Sequence, residues 1–331
     1  MFSFNQNEIL QEHQNGVQII PKIEEIVDSI CQKGYDNIFY IGIGGTALMA
    51  HQMENIVKQL HVPFPLYVEK AADFCLLGNP YFSSRSIVVI ESISGDTPEM
   101  IQTADKVHDL GASILGYVEK AETPLYEKAD YLIHTTGGAQ YFWYAVTFRF
   151  LKNAGLYPAY DSFLSCLKAM PQNTVAILDQ IDGAAKTYAE KYWNEPIQYL
   201  VASGNLEDWA YSYGMCTMEE MLWMRTRPIS ASDFFHGTLE VIDRDTCMML
   251  IKGEDITRPL MERVECFVRR ISAKITVFDM ADFTLENIPE KYRGIFSPMI
   301  ARTAFRKISA YLEYFRRHPL EIRRYYRHLK Y

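Results

Sequence analysis

Three hydroxyls, Ser92, Ser94 and Thr97, crowd around Gly95 in the stretch VVIESISGDTPE at 88–99. An apolar strand precedes them. Thr97-Pro98-Glu99 and the amphipathic run from Met100 to Val107 open a helix behind them. Such a turn offers backbone N–H groups, hydroxyl donors and the positive end of a helix dipole, a combination that suits a phosphate. The plainer reading is that the hydroxyls cap the helix. A cap needs one hydroxyl and this loop has three, which favours the anion site.

A second constellation lies in MEEMLWMRTRPISASDFFHGTLEVID at 218–243. Glu220 falls in an apolar, helix-like run, and His236 follows 16 residues later beside Gly237. A carboxylate on a packed helix face is desolvated, which raises its pKa and suits a general base working near neutral pH. A histidine at a loop-to-helix junction exchanges protons in the same range. Each also has a plain alternative: a second surface glutamate, and a satisfied buried histidine. Arg225 and Arg227, in the loop expected between the two, could meet a carboxylate, or be solvated surface residues. Arg323 and Arg324 near the C-terminus carry the same ambiguity.

These residues need elements to place them, and the chain supplies the elements twice. NIFYIGIGGTALMAHQMENIVKQL at 37–60 reads as strand, glycine turn and helix; IQYLVASGNLEDWAYSYGMCTMEEML at 197–222 repeats that plan 160 residues later, with Gly204 opposite Gly44. SIVVIESISGDTPEMIQTADKV has its counterpart in TCMMLIKGEDITRPLMERVECFV, with Thr257 opposite Thr97. Strands then follow at 112–118 and 274–279. Alternating strands and helices of these lengths predict an α/β chain of two parallel, doubly wound sheets with helices on both faces. The expected division is an N-terminal domain at 1–150 with a helix at 7–33, a helical connection at 151–193, and a C-terminal domain at 194–331. In such sheets ligands sit at the strand ends, so the loops after residues 41 and 91 are the places to look.

The first of these loops, GIGG at 42–45, lacks a third glycine, since residue 47 is Ala. A dinucleotide site is still to be weighed, with Glu69 as its acidic residue, but a glycine turn alone is weak evidence. The matching loop of the second half, KGEDITRP, has no comparable hydroxyl set and is expected not to bind phosphate.

Bulk properties narrow the classes. The 331 residues are 48% hydrophobic and 22% charged, and no apolar run is long enough to cross a bilayer. A net charge of −8 argues against nucleic acid as a partner. Six scattered cysteines without a C-x-x-C pair fit reduced thiols rather than disulfides or a zinc site. The N-terminus has no signal-peptide pattern, so a cytoplasmic location is expected.

S-x-S-G-x-T-P-E at 92–99, taken with GIGGT at 42–46, resembles the phosphosugar loops of the sugar isomerase (SIS) domain family. The resemblance implies two tandem SIS domains of flavodoxin-like order, with Gly45, Thr46, Ser92, Ser94 and Thr97 holding a sugar phosphate. The spacing E-x15-H with the following HGTLE resembles the isomerase half of glutamine:fructose-6-phosphate amidotransferase. It is more similar still to the fructosamine-6-phosphate deglycases, as is the tail RRHPLEIRRYYRHLKY. This likeness runs over nearly the whole chain. Where the amidotransferase has a Schiff-base lysine stands Thr217, and the chain shows no glutaminase domain. Asp233, Thr238 and Ile43 also depart from the usual residues. The departures touch the exact substrate more than the reaction class.

By this resemblance Glu220 and His236 are catalytic and Arg225 contributes to substrate binding. The implied reaction cleaves a phosphorylated ketosamine or aminosugar adduct of the fructoselysine or glucoselysine 6-phosphate type. No cofactor or metal is called for, because the substrate's nitrogen provides the electron sink. The resemblance also implies a homodimer or higher homo-oligomer with His236 reaching a neighbour's site. Trp209, Tyr211, Tyr213 and Trp223 are candidates for that interface or for core. The alternatives are an aldose–ketose or aminosugar-phosphate isomerase or deaminase, and a non-catalytic sugar-phosphate sensor. A nicotinamide-dependent oxidoreductase is more distant.

Overall fold

A computed structural model describes residues 4–330, which divide into two compact units. One is Asn7–Pro171; the other takes the chain from Gln172 onward together with the residues before Asn7. The division falls inside a single long helix.

The first unit opens with α1 (Gln6–Lys33), whose buried Ile9, Ile20, Ile23, Val27 and Ile30 recur at helical spacing. The sheet follows as β1 (Ile38–Gly42), α2 (Gly45–Gln59), β2 (Leu66–Lys70), α3 (Ala71–Leu77), β3 (Ile87–Ser92), α4 (Pro98–Asp109), β4 (Ser113–Val118), α5 (Pro124–Lys128) and β5 (Tyr131–His134). All strands are parallel, in the order β2-β1-β3-β4-β5. Strands β1 and β3 are buried along their whole length, as interior strands covered on both faces must be, which is why they read as unbroken apolar runs. Helix α6 (Ala139–Asn153) is buried almost all round, with Trp143 and Phe148 fully covered. Tyr141 of α6 lies against Gly16 of α1, where an added Cβ would stand 2.2 Å from the ring, so this crossing requires glycine.

Helix α7 (Tyr160–Tyr192) leads into the second unit. There β6 (Gln198–Ala202), α8 (Glu207–Ser212), β7 (Thr226–Ser230), β8 (Cys247–Lys252), α9 (Arg258–Val268), β9 (Lys274–Asp279) and α10 (Glu290–Arg316) follow. The four strands are again parallel, in the order β7-β6-β8-β9, the same order as the first four of the other sheet. The internal repeat expected from sequence is thus present strand for strand.

Two local features differ from the expectation. The run 213–219 is a π-helix rather than α-helix, with Glu220 N bonded to Met215 O and Leu222 N to Thr217 O. Gly214 allows this segment to come close to β7, since a Cβ there would stand 3.0 Å from Thr226 Oγ1 and from the Pro228 ring. Glu220 therefore lies just past the wide turn, not within a regular helix. Residues 226–230, expected as loop, form β7, an edge strand where Pro228 is tolerated because one side of the strand has no partner. Of the four aromatic interface candidates, Trp209 and Tyr213 are buried against Phe305, Trp223 is half-buried and Tyr211 is exposed.

Candidate functional site

In the first unit the two candidate loops leave adjacent strands. β1 and β3 are neighbours, and the chain turns to opposite sides of the sheet from this point, the place where doubly wound sheets form a crevice. Gly44, at φ 58°, turns the chain into α2, so Gly45 and Thr46 begin that helix. Thr46 Oγ1 accepts from Ile43 N and donates to Ile43 O, both at 3.0 Å, which closes the turn. Ser92 ends β3 and is buried; its Oγ accepts from Gly95 N at 2.9 Å. Gly95 has φ 69°, and a Cβ there would meet Thr123 Oγ1 at 2.0 Å. The Ser94 and Thr97 hydroxyls lie 3.5 Å apart, both half-buried. Thr97 occupies the N-cap position of α4, yet its side chain caps no amide of that helix. Glu69, the acidic residue a dinucleotide reading would need, is engaged by Asn79 Nδ2 at 2.7 Å.

The second unit shows what the repeated geometry can hold. Gly204, at φ 55°, matches Gly44, and Asn205 matches Gly45. Asp255 stands where the first half has Gly95, and Thr257 where it has Thr97. The Asp255 carboxylate accepts from Asn205 N at 2.9 Å, from Thr257 N at 2.8 Å and from Thr257 Oγ1 at 2.6 Å. Thr257 Oγ1 also approaches Ser203 Oγ at 2.9 Å. A carboxylate thus bridges the two strand-end loops, which have the span and donors to grip an oxyanion. The flanking charges of this half are spoken for: Lys252 pairs with Glu265 and Asp279, and Glu254 with Arg293.

Glu220 lines a pocket of about 650 Å³ within the second unit. Glu219, Trp223, Arg225, Arg316, Arg323 and Arg324 are among its walls. The Glu220 side chain keeps 34% of its surface exposed, and Arg323 Nε donates to its Oε1 at 2.8 Å. An ion pair stands where the sequence reading expected an apolar surround. Arg225, just before β7, is exposed and lines the pocket; Arg227 is exposed too but is not among the pocket's walls, its guanidinium lying 5.8 Å from the Tyr199 ring.

His236 lies in an exposed turn before the short 3-10 helix Thr238–Val241, its N–H donated to Asp233 O, and it is not part of the Glu220 pocket. One acid passed over in the sequence lies beside that turn. Glu207, at the start of α8, accepts from Ser230 Oγ at 2.7 Å. Burial pushes its carboxyl above the usual range, with the Asp233 charge adding to the effect. Its only signal in sequence was an acidic residue shortly after a strand-end glycine.

Comparison with known proteins shows what these features resemble. A SIS domain profile matches residues 32–152. The fructosamine deglycase of Bacillus subtilis is 28% identical over 92% of this chain and 95% of that protein. The fructoselysine 6-phosphate deglycase of Escherichia coli K12 is 22% identical over 93% of this chain and 90% of its own length. Among solved structures, a Bacillus subtilis protein described as a phosphosugar isomerase superposes with a TM-score of 0.88 at 26% identity, covering 95% of this chain and 99% of that one. The matched segment contains the whole first sheet and both of its strand-end loops, and the second sheet repeats the strand order; residues 32–152 are similar to a SIS domain, and nearly the whole chain is similar to the fructosamine deglycases.

Proposed function

We propose that the chain is a deglycase that cleaves a fructosamine-type sugar 6-phosphate to sugar 6-phosphate and free amine. The observation that carries the reading is that the repeated copy of the loops at 42–46 and 92–97 grips the Asp255 carboxylate, which supports an oxyanion cradle in the first unit. The phosphate is assigned to this cradle through Gly45, Thr46, Ser92, Ser94 and Thr97. The relatives' reaction supplies the chemistry, and Glu220 with its pocket supplies a base.

In the open-chain substrate the amine sits on C1 and a carbonyl on C2. Glu220 takes a proton from C1, and the C–H electron pair forms the C1=C2 bond as the C2 oxygen is protonated. The resulting enaminol is reprotonated at C2, and the nitrogen lone pair forms the C1=N bond. Water adds to C1 and the amine leaves, giving glucose 6-phosphate. His236 is assigned ring opening and the proton transfers at oxygen. The exposure of His236 outside its own chain's Glu220 pocket favours a homodimer in which the histidine serves the neighbouring subunit. If the amine is on C2 instead, the same glutamate acts there and fructose 6-phosphate is released.

The test is turnover of fructoselysine 6-phosphate and glucoselysine 6-phosphate side by side, with separate detection of glucose 6-phosphate and fructose 6-phosphate. Release of glucose 6-phosphate that both Glu220→Gln and His236→Ala abolish supports the reading as stated. Release of fructose 6-phosphate moves the amine to C2. Binding of sugar phosphates without turnover of either substrate would place the protein among isomerases or sensors.

A further inference from the structure

The Glu220 pocket carries more positive charge than proton abstraction needs. Four arginines and three glutamates line it, in a chain whose net charge is −8. The glutamates are committed: Glu195 to Lys274 at 2.9 Å, Glu219 to the Thr226 N–H and hydroxyl, and Glu220 to Arg323. The arginines are less so. Among the described residues Arg316 donates to the backbone oxygens of Leu222 and Trp193, and burial pushes its pKa down. Arg324 lies over the Trp223 ring at 4.2 Å, and Arg225 is exposed at the rim. Among the described residues these three pocket-lining guanidinium groups have no carboxylate partner, which makes the pocket a site for an anion, and their planar forks favour a carboxylate.

We infer that this wall takes the carboxylate of an amino-acid aglycone, and that Arg323 passes from Glu220 to that carboxylate when substrate binds. The inference rests on the deglycase reading. Before binding, Arg323 engages the oxygen that must accept the proton from C1. An incoming carboxylate offers Arg323 a partner of the same geometry beside Arg316 and Arg324. The exchange frees Glu220 only when the right leaving group is in place. Arg323 is then a specificity residue that gates the base, held in position by its own bond to Leu320 O.

The experiment compares fructoselysine 6-phosphate with the 6-phosphate adduct of 1,5-diaminopentane, which has the same chain without the carboxylate. For the native protein, kcat/KM is expected to be at least about tenfold higher for the lysine adduct, the discrimination of one charge-assisted pair. Arg323→Gln is expected to raise KM for the lysine adduct while leaving kcat for the diaminopentane adduct equal or higher, so that the preference shrinks to about twofold or less. Arg323→Lys, which keeps the charge on a similar stem, should fall between the two and shows that the effect is not misfolding. Equal turnover of both adducts by the native protein, or proportionate loss on both with Arg323→Gln, overturns the exchange while leaving the deglycase reading intact. A rise in KM for both adducts alike would mean that the arginines hold the sugar phosphate instead. Absence of turnover for both adducts and for glucoselysine 6-phosphate removes the deglycase reading and this inference with it.

Discussion

Ser94 and Thr97 face one another with their hydroxyls 3.5 Å apart, and Thr97, although at the N-cap position of α4, caps nothing in that helix. A hydroxyl spent on capping would cost about 1 kcal/mol of stability on removal. Thr97→Ala is therefore expected to leave Tm nearly unchanged and to weaken sugar-phosphate binding about tenfold, the loss of one bond to a charged group. Thermal unfolding and titration with glucose 6-phosphate, run on the same preparation, check both halves. A large fall in Tm with unaltered binding would return the loop to a capping role.

His236 is exposed and lies apart from its own chain's Glu220 pocket. If a neighbouring copy supplies the histidine, Glu220→Gln and His236→Ala are each inactive alone, by at least about a hundredfold. Mixed after subunit exchange, they should recover about a quarter of native activity, since half the dimers carry one intact site. Mixtures as inactive as their components would put both residues in a site made by one chain.

Lys252, Glu265, Arg258 and Asp279 form a charged cluster at the end of β8 and β9, with Arg258 donating to both Asp279 oxygens at 2.8 and 2.6 Å. Burial raises the Asp279 pKa, but the Arg258 hydrogen bonds and the charges of Arg258 and Lys252 outweigh it, and the carboxyl lies below its ordinary 3.8. For Glu265, burial is likewise outweighed by the hydrogen bonds and charges of Lys252 and Arg269, and its carboxyl lies below the ordinary 4.5. Folded values lower than unfolded ones give stability that is complete above those ordinary values and lost as pH falls through the depressed ones. Tm is expected to hold from pH 7 to about 5 and to drop below about 4. Asp279→Asn should cost about 2 kcal/mol at pH 7 and less in acid. Parallel Tm curves for the two proteins would remove the cluster from the acid response.

Much of this architecture is legible in the residues themselves. Interior parallel strands such as Ile38–Gly42 and Ile87–Ser92 are apolar throughout because both faces are covered, and the 160-residue offset aligns Gly44 with Gly204 and Thr97 with Thr257. Strand β7 escapes notice because TRPIS carries proline and arginine, which only an edge position permits. The π-helix at 213–219 escapes because hydrogen-bond width depends on packing against β7 at Gly214, not on the helix's own residues. The pairing of Glu220 with Arg323 joins positions 103 apart and has no signature in either local stretch.

The carboxylate of Asp255 is tethered where the first half has Gly95, and that tether has a consequence for the second domain. Asp255→Gly would exchange a resident anion for a tenancy open to solutes. Such a variant should lose stability in phosphate-free buffer and regain it as inorganic phosphate is added, by about 1.4 kcal/mol per tenfold once the site is saturated. The native protein, already occupied by its own side chain, should lack that response at the second sheet, and a Tm of the variant indifferent to phosphate would show the cradle too altered to refill. The two halves are in this sense one receptor written twice, once for a guest and once with the guest sewn in.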